Sequence, residues 1–427
     1  MAYQGWITLC VFTFTLISIG MGKIARGVAA LLGAAFLMSF QILPAEIAVR
    51  FIDFNTIGLL MGMMIVVGVL SKTGVFQYVA IRSLKMTGGN WVVTVFAITA
   101  TTAILSGVLD NVTTVLLVSP IILSLADIMD FNPVPLLIAE AISSNIGGTA
   151  TLIGDPPNII IGSHANFSFI DFIINLTPIT IVVFVFTIAL LVLIDPNSFK
   201  IRKEEYEKIL KVDENAAIKD IPTLKKALFV MGCIMVGFFA HGILHIEAAV
   251  VALAGAAALL AVIPEDGDEI IHKDIEWPTL VFFAGLFIIV GALKENGVIS
   301  QLALFLGKHL QGHPLGAMLA VLWFSGLTCS FVNNIGFTAT FVFVIDELAK
   351  QVGISPEPLF WALAMGACFG GNGSFLGAAA NVVVADVAGR FGHPISFKDF
   401  LKTGMFSVFI ALSLCSLYLI VRYKTLL

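Results

Sequence analysis

Glycines 147, 148 and 154 and Asn158 recur 223 positions later as glycines 370, 371 and 377 and Asn381. The first copy, 145–158, reads Asn-Ile-Gly-Gly-Thr-Ala-Thr-Leu-Ile-Gly-Asp-Pro-Pro-Asn. The second, 368–381, reads Cys-Phe-Gly-Gly-Asn-Gly-Ser-Phe-Leu-Gly-Ala-Ala-Ala-Asn. Each interrupts a long apolar stretch in a chain that is 59% hydrophobic, 12% charged and has a mean hydropathy of +1.01. Soluble proteins carry about twice that charge fraction, so this composition predicts a polytopic membrane protein. In a bilayer, backbone that leaves the helix is tolerated only where it is buried in protein or lines a wet cavity. Two such breaks at matching places in two halves point to the binding site of a transporter.

The offset extends well beyond the breaks. Gly62, Gly68, Gly74, Pro133 and Pro135 match Gly285, Gly291, Gly297, Pro356 and Pro358, and Asn111 matches Asn334. Two apolar helices could agree by accident at leucines, but not at these glycines and prolines. Residues 1–194 and 227–427 are therefore read as two repeats joined by a linker over 195–226. Apolar runs fall at 5–20, 26–43, 53–71 and 172–194, then at 227–243, 247–263, 277–294 and 402–421. Residues 1–20 have no basic lead or small-residue cleavage site, so they are expected to form the first span rather than a signal peptide. Each repeat also predicts a re-entrant hairpin (about 90–128 and 313–350) and a glycine-broken helix (about 135–165 and 356–390). Gln77 to Met86 predicts an interfacial helix.

The linker holds eight Lys/Arg and seven Asp/Glu and is expected to be a solvated helix. Placed in the cytoplasm, it brings 17 of the 23 basic residues to that side, as the positive-inside rule requires. Arg50, Lys294, Lys308, Lys350, Arg422 and Lys424 fall on the other side. An odd number of spans per repeat then inverts the second relative to the first. The expected fold is all-α, with ten spans in two inverted-topology repeats, a plasma-membrane location and both termini outside. The five cysteines lack metal-ligand spacing and are expected to be packing residues. No nucleophile–base spacing predicts an enzyme, and no basic patch predicts nucleic-acid binding.

A half-helix ending near Gly147 frees carbonyls, and one restarting at Asp155 frees N–H groups. The former suit a cation and the latter an anion. Thr149, Thr151 and Asn158 add neutral oxygens in the first copy, and Asn372, Ser374 and Asn381 in the second. The plainer alternative is that the glycines serve close packing and the hydroxyls bond backbone locally. Asp155 before two prolines, and Asp110 at the tip Leu-Asp-Asn-Val-Thr-Thr (109–114), fit either helix capping or ion binding. Their counterparts are Ala378 and Asn333, and that of Glu140, mid-span, is Leu363. Intramembrane carboxylates are costly, so three of them in the first repeat predict one charged cation or proton site and one neutral site. His241 and His245 read as interfacial residues.

The tip 109–114, the run Ile138-Ala139-Glu140, the stretch 145–158 and Gly370–Ser374 with Ala380-Asn381-Val382-Val383 resemble the ion transporter superfamily. The closest resemblance is to the arsenite permease and NhaD-type sodium/proton antiporter family and its melanosomal P-protein branch. Sodium-coupled dicarboxylate symporters share the Thr-Leu-Ile-Gly-x-Pro-Pro-Asn run, although their hairpin tips usually read Ser-Asn-Thr. The resemblance implies a homodimer whose hairpins and broken helices move by an elevator-like displacement. It implies sodium or proton as coupling ion, no cofactor, and a small ion or small anion as substrate. Carried over residue by residue, Asp110, Asn111, Thr114, Asn145, Gly147, Gly148, Thr149 and Thr151 frame one site. Asn333, Asn334, Thr338, Gly370, Gly371, Asn372 and Ser374 frame the other. Sodium is expected at Asp110, Asn111, Asn334 and Asn372, and Asp110→Asn is expected to abolish ion-dependent transport. Asn333 departs from the family's Asp-Asn second tip. An exchanger, a sodium-coupled anion symporter, an arsenite efflux permease and a passive anion channel all fit at this level.

Overall fold

The computed structural model describes residues 3–20, 24–88, 90–129, 131–194, 213–263 and 267–424. Most of the expected linker helix lies outside them. The first repeat comprises α1 (Tyr3–Gly20), α2 (Arg26–Ser39), α3 (Ala45–Ala48), α4 (Phe54–Lys72), α5 (Val75–Lys85), α6 (Trp91–Ser106), α7 (Asn111–Met129), α8 (Val134–Thr149), α9 (Pro156–Ala165), α10 (Phe169–Asn175) and α11 (Thr177–Ile194). The second comprises α12 (Ile221–Leu244), α13 (Ala248–Val262), α14 (Gly267–Lys273), α15 (Trp277–Glu295), α16 (Val298–Leu310), α17 (Pro314–Cys329), α18 (Asn334–Val352), α19 (Glu357–Gly370), α20 (Ala379–Arg390) and α21 (Phe397–Arg422).

Two inverted-topology repeats organise this all-helical membrane protein, and they interlock by exchange. Helix α2 packs on α15 and α4 on α13, each the mirror of the other under the offset. A Cβ on Gly62 would meet the Ala252 backbone at 2.6 Å, and one on Gly285 would meet that of Ala30 at 2.8 Å. The hairpins and breaks repeat the pattern: α6 packs on α8 and α17 on α19, while α7 meets α20 and α9 meets α18. Helices α5 and α16 lead from the outer helices to the hairpins. Both follow glycines in the left-handed region, Gly74 (φ +82°) and Gly297 (φ +70°), a turn that β-carbons disfavour.

Two spans are shorter than the apolar runs predict. Helix α2 stops at Ser39 because Gln41 turns left-handed (φ +54°) and Pro44 follows. Its 14 residues rise about 21 Å, against about 30 Å of hydrocarbon. Helix α13 has 15 residues. Among the described residues, four helices (α4, α12, α15, α21) are long and apolar enough to cross alone, and the bent pair α10–α11 makes a fifth. That pair turns by 46° where Pro178 denies the chain a helical N–H. With the five-residue insertion, its counterpart in the second repeat is Phe406, and α21 runs through unbroken.

Close backbone contacts fall at the breaks. A Cβ on Gly147 would sit 2.0 Å from the Ala103 carbonyl oxygen, and one on Gly370 would sit 2.4 Å from that of Gly326, its repeat mate. Backbone faces backbone on both sides, so neither can yield locally. Gly147→Ala is expected to cost about 3 kcal/mol or more, the upper range for overpacking. Thermal unfolding of the detergent-solubilised protein reads this directly.

Where the linker becomes describable, it clamps α5. Glu214 of the 3₁₀ turn Glu214–Ala217 accepts from Arg82 Nη1 at 2.9 Å and from Lys85 Nζ. Lys219 N donates to the Thr73 carbonyl at 2.9 Å. The hydrogen bond from Lys85, foremost, holds the Glu214 carboxyl down at about 2, against an ordinary 4.5. A depressed carboxyl stabilises the folded form above its unfolded value and loses that contribution as pH falls through the folded value. The clamp is thus expected to hold above about pH 4.5 and release toward pH 2, and Glu214→Gln should flatten that segment of the stability–pH profile.

Candidate functional site

The two breaks meet at the centre of the molecule. Helix α8 ends at Thr149 and α9 begins at Pro156; α19 ends at Gly370 and α20 begins at Ala379. In each break one asparagine gathers the freed carbonyls. Asn158 Nδ2 donates to the Gly148, Thr149 and Thr151 oxygens at 3.4, 3.1 and 2.8 Å. Asn381 Nδ2 donates to those of Gly371 and Ser374, both at 2.8 Å. Thr151 and Ser374 tie the breaks to the hairpin tips, donating to the Gly107 and Ser330 carbonyls at 2.6 Å each. A Cβ on Gly148 would meet the Gly154 oxygen at 2.5 Å, and one on Gly377 that of Gly371 at 2.5 Å.

These carbonyls fix the direction of a buried amide chain. Carbonyls accept only, so Asn381 must present Nδ2 to them and leave Oδ1 facing Asn145. Asn145 Nδ2 then donates to Asn381 Oδ1 and to Asn372 Oδ1, each at 2.9 Å, joining one repeat to the other. Its own Oδ1 accepts from Asn111 Nδ2 at 3.1 Å, and Asn111 Nδ2 also faces Asp155 Oδ1 at 3.3 Å. Amide orientation is normally ambiguous, but here the network assigns it. The result is one hydrogen-bonded chain from the second break, through the first, to a carboxylate. All five side chains are buried, with exposures of 0–3%.

Asp155 and Asp110 differ sharply. Asp155 stands at the N-cap of α9 but makes no capping bond; Oδ1 faces Asn111, and Oδ2 is buried with no partner at full hydrogen-bond geometry among the described residues, the Cys368 and Asn334 side chains standing close to the carboxylate. Asp110 does cap: Oδ1 accepts from Thr113 N at 2.8 Å and Oδ2 from Thr113 Oγ1 at 2.5 Å. Its mate Asn333 caps α18 likewise, accepting from Ile335 N and Gly336 N. Asp110, expected in a sodium site, thus also caps its own helix while each of its oxygens keeps further acceptor capacity, and Asp155 does not cap.

The other expected residues divide. Asn334 Nδ2, Asn372 Nδ2 and Thr338 Oγ1 are buried with no partner at full hydrogen-bond geometry among the described residues. Asn334 lies beside the second break, its Nδ2 3.3 Å from where a Cβ on Gly371 would be. Thr114 and Thr149 return their hydroxyls to helix carbonyls, Asp110 O and Asn145 O, and so serve backbone. Glu140 stands apart, one oxygen accepting from Ser119 at 2.8 Å and the other unpartnered. His241 ties loops rather than facing the site: its Nε2 accepts from Phe169 N, and Nδ1 lies 3.2 Å from the Ile246 carbonyl. Cys368, expected only to pack, is the repeat mate of Asn145, and its Sγ lies 3.4 Å from Asn158 Oδ1 across the same junction. The offset of 223 was the signal that could have found it.

Residues 14–366 match the family described as CitMHS, citrate transporter. The chain belongs to the CitMHS family. This CitMHS protein is 40% identical over 98% of both chains to a 46 kDa membrane protein of Mycobacterium leprae. It is 37% identical over 99% of both to a Mycobacterium tuberculosis protein named as an uncharacterized transporter. The likeness to the P-protein branch is present as well: human P protein is 32% identical, over 88% of this chain and 54% of that one. In fold, the CitMHS chain is similar to the crystal structure of the Alcanivorax borkumensis YdaH transporter, described as having an unusual topology. The TM-score is 0.61 at 16% identity, over 98% of each chain. The protein is thus a membrane transporter.

Proposed function

We propose that this protein is a secondary active transporter in which a proton or sodium ion at Asp155 drives the movement of a small multivalent carboxylate, of which citrate is the type. The observation that carries the reading is the amide chain from Asp155 through Asn111 and Asn145 to the second break. It places a buried carboxylate, suited to a cation and flanked by Asn334, in the same cluster as Asn372 Nδ2, an amide donor without a partner among the described residues and suited to an anion's oxygen. A carboxylate and an amide donor cannot be filled independently when one hydrogen-bonded chain sets the orientation of both. The description of the family as citrate transporter supports the substrate class.

The layered architecture supports an elevator-type displacement. Hairpins and broken helices pack on one another, while α2, α4, α13 and α15 form a separate interlocked set. The glycine-hinged helices α5 and α16 join the two. A homodimer assembled through the outer set belongs to the same reading. A second reading, proton/cation exchange, is favoured by a different observation: no Lys or Arg stands in the described tips or breaks, so carboxylates are the only formal charges there. Proteoliposomes separate the two. Citrate uptake that requires a sodium or pH gradient supports the symporter. Cation-dependent proton movement without any anion supports exchange.

A further inference from the structure

At the Arg50 end of α4 a cavity of about 500 Å³ opens between Arg50–Phe54, α9, α15 and α18. It shares Lys294 and Phe343 with a neighbouring cavity of about 340 Å³. The linker meets the opposite end of α4, at Thr73, about 28 Å away for 19 residues. Two of the walls run inward to the amide cluster. Helix α9 carries Ile160 and His164 into the cavity and begins beside Asp155, and α18 carries Ala339 and Phe343 and begins at Asn334. The cavity is a mouth that shares the helices α9 and α18 with the site.

The cavity places two cations, Arg50 and Lys294, against one carboxylate, Asp53. Both Asp53 oxygens cap α4, accepting from Asn55 N, Thr56 N and Thr56 Oγ1. Asp346 Oδ2 lies 2.7 Å from His164 Nε2, and Glu347 pairs with Lys350 at 2.9 Å. Arg50 and Lys294 have no carboxylate partner among the described residues. Lys294 is instead held over aromatic rings, its Nζ 4.5 Å from the Phe343 centroid and 5.9 Å from that of Phe51. Such contacts orient an ammonium without neutralising it.

We infer that Arg50 and Lys294 form a recruitment site for small multivalent anions at this mouth, distinct from the amide cluster. Within the cavity itself Arg50 and Lys294 outnumber the one carboxylate, Asp53, and an excess of positive charge in a concave opening attracts an anion. Two cations spaced around a cavity select a polycarboxylate over a monovalent anion, which can engage only one of them. The inference deepens the proposed function by locating where its anion first binds, and rests on that reading for the ligand class.

Isothermal titration of the purified full chain with citrate at fixed ionic strength tests it. Arg50→Gln/Lys294→Gln is expected to weaken citrate binding about tenfold or more and to flatten its salt dependence. Arg50→Lys/Lys294→Arg, which keeps both charges, should bind nearly as wild type and controls for folding. Wild-type protein that does not bind citrate, or a double Gln variant that binds it unchanged, would overturn the inference. Citrate binding that is lost in the double Gln variant, in a protein that moves no citrate, would overturn the transport reading and leave the mouth site standing.

Discussion

Asp155→Asn is expected to remove cation-dependent transport, by about 100-fold if the full coupling energy is lost, and to leave a folded protein. The substitution keeps an oxygen for Asn111 Nδ2, so the bond at 3.3 Å survives. It deletes the charge and one carboxylate oxygen, so nothing remains there to take a proton or hold sodium. No capping bond is lost, because Asp155 makes none. Asp110→Asn is the informative contrast. Asn caps helices about as well as Asp, and Asn333 already does so in the second repeat. That variant is expected to retain more transport than Asp155→Asn. Equal loss in both would return the cation to the hairpin tip. Initial rates in proteoliposomes, at matched incorporation, decide between them.

Asn145→Asp should be the most damaging near-isosteric change in the protein. Asn145 Nδ2 faces two acceptors, Asn372 Oδ1 and Asn381 Oδ1, each at 2.9 Å. Asn381 cannot turn to help, since its Nδ2 is committed to the Gly371 and Ser374 carbonyls. An ionised Asp has no proton for either oxygen, and a protonated one has a single proton for two. Each buried acceptor left unmatched costs about 1–3 kcal/mol, so a loss of roughly 3–6 kcal/mol is expected once repulsion is added. Asn145→Ala should cost about as much through the same orphaned groups. Thermal unfolding of both variants measures this, and a stability within about 1 kcal/mol of wild type for Asn145→Asp would contradict the assigned direction of the chain.

Much of this architecture could be read from the sequence because it rests on residues with few alternatives. Glycine and proline tolerate little substitution where backbones touch, so the offset of 223 survives at Gly147 and Gly370, whose added β-carbons would sit 2.0 and 2.4 Å from neighbouring carbonyls. The polar tips and the glycine-rich runs coincide with helix ends: α6 stops at Ser106 and α7 starts at Asn111, while α8 stops at Thr149 and α9 starts at Pro156. What the sequence could not supply was distance across the repeats. Nothing in it says that Asn145 reaches Asn381 rather than its own helix. Asp110 and Asp155 both precede a helix, but Pro156 and Pro157 leave the first two positions of α9 without N–H groups, so Asp155 has fewer capping donors than Asp110. Arg50 and Lys294 were visible only as basic residues on the minority side of the charge count. The length of α2 was overestimated because apolar character continues through Phe40 to Leu43 after the helix has turned away.

The account's central claim is that Asp155 carries the coupling ion of a multivalent-anion transporter. Proteoliposomes loaded with a pH-sensitive dye, given citrate under imposed sodium and pH gradients, test it most directly. Gradient-dependent citrate entry in the wild type, lost in Asp155→Asn with protein still folded and incorporated, is the predicted result. Wild-type flux in Asp155→Asn, or citrate entry indifferent to both gradients, would contradict it.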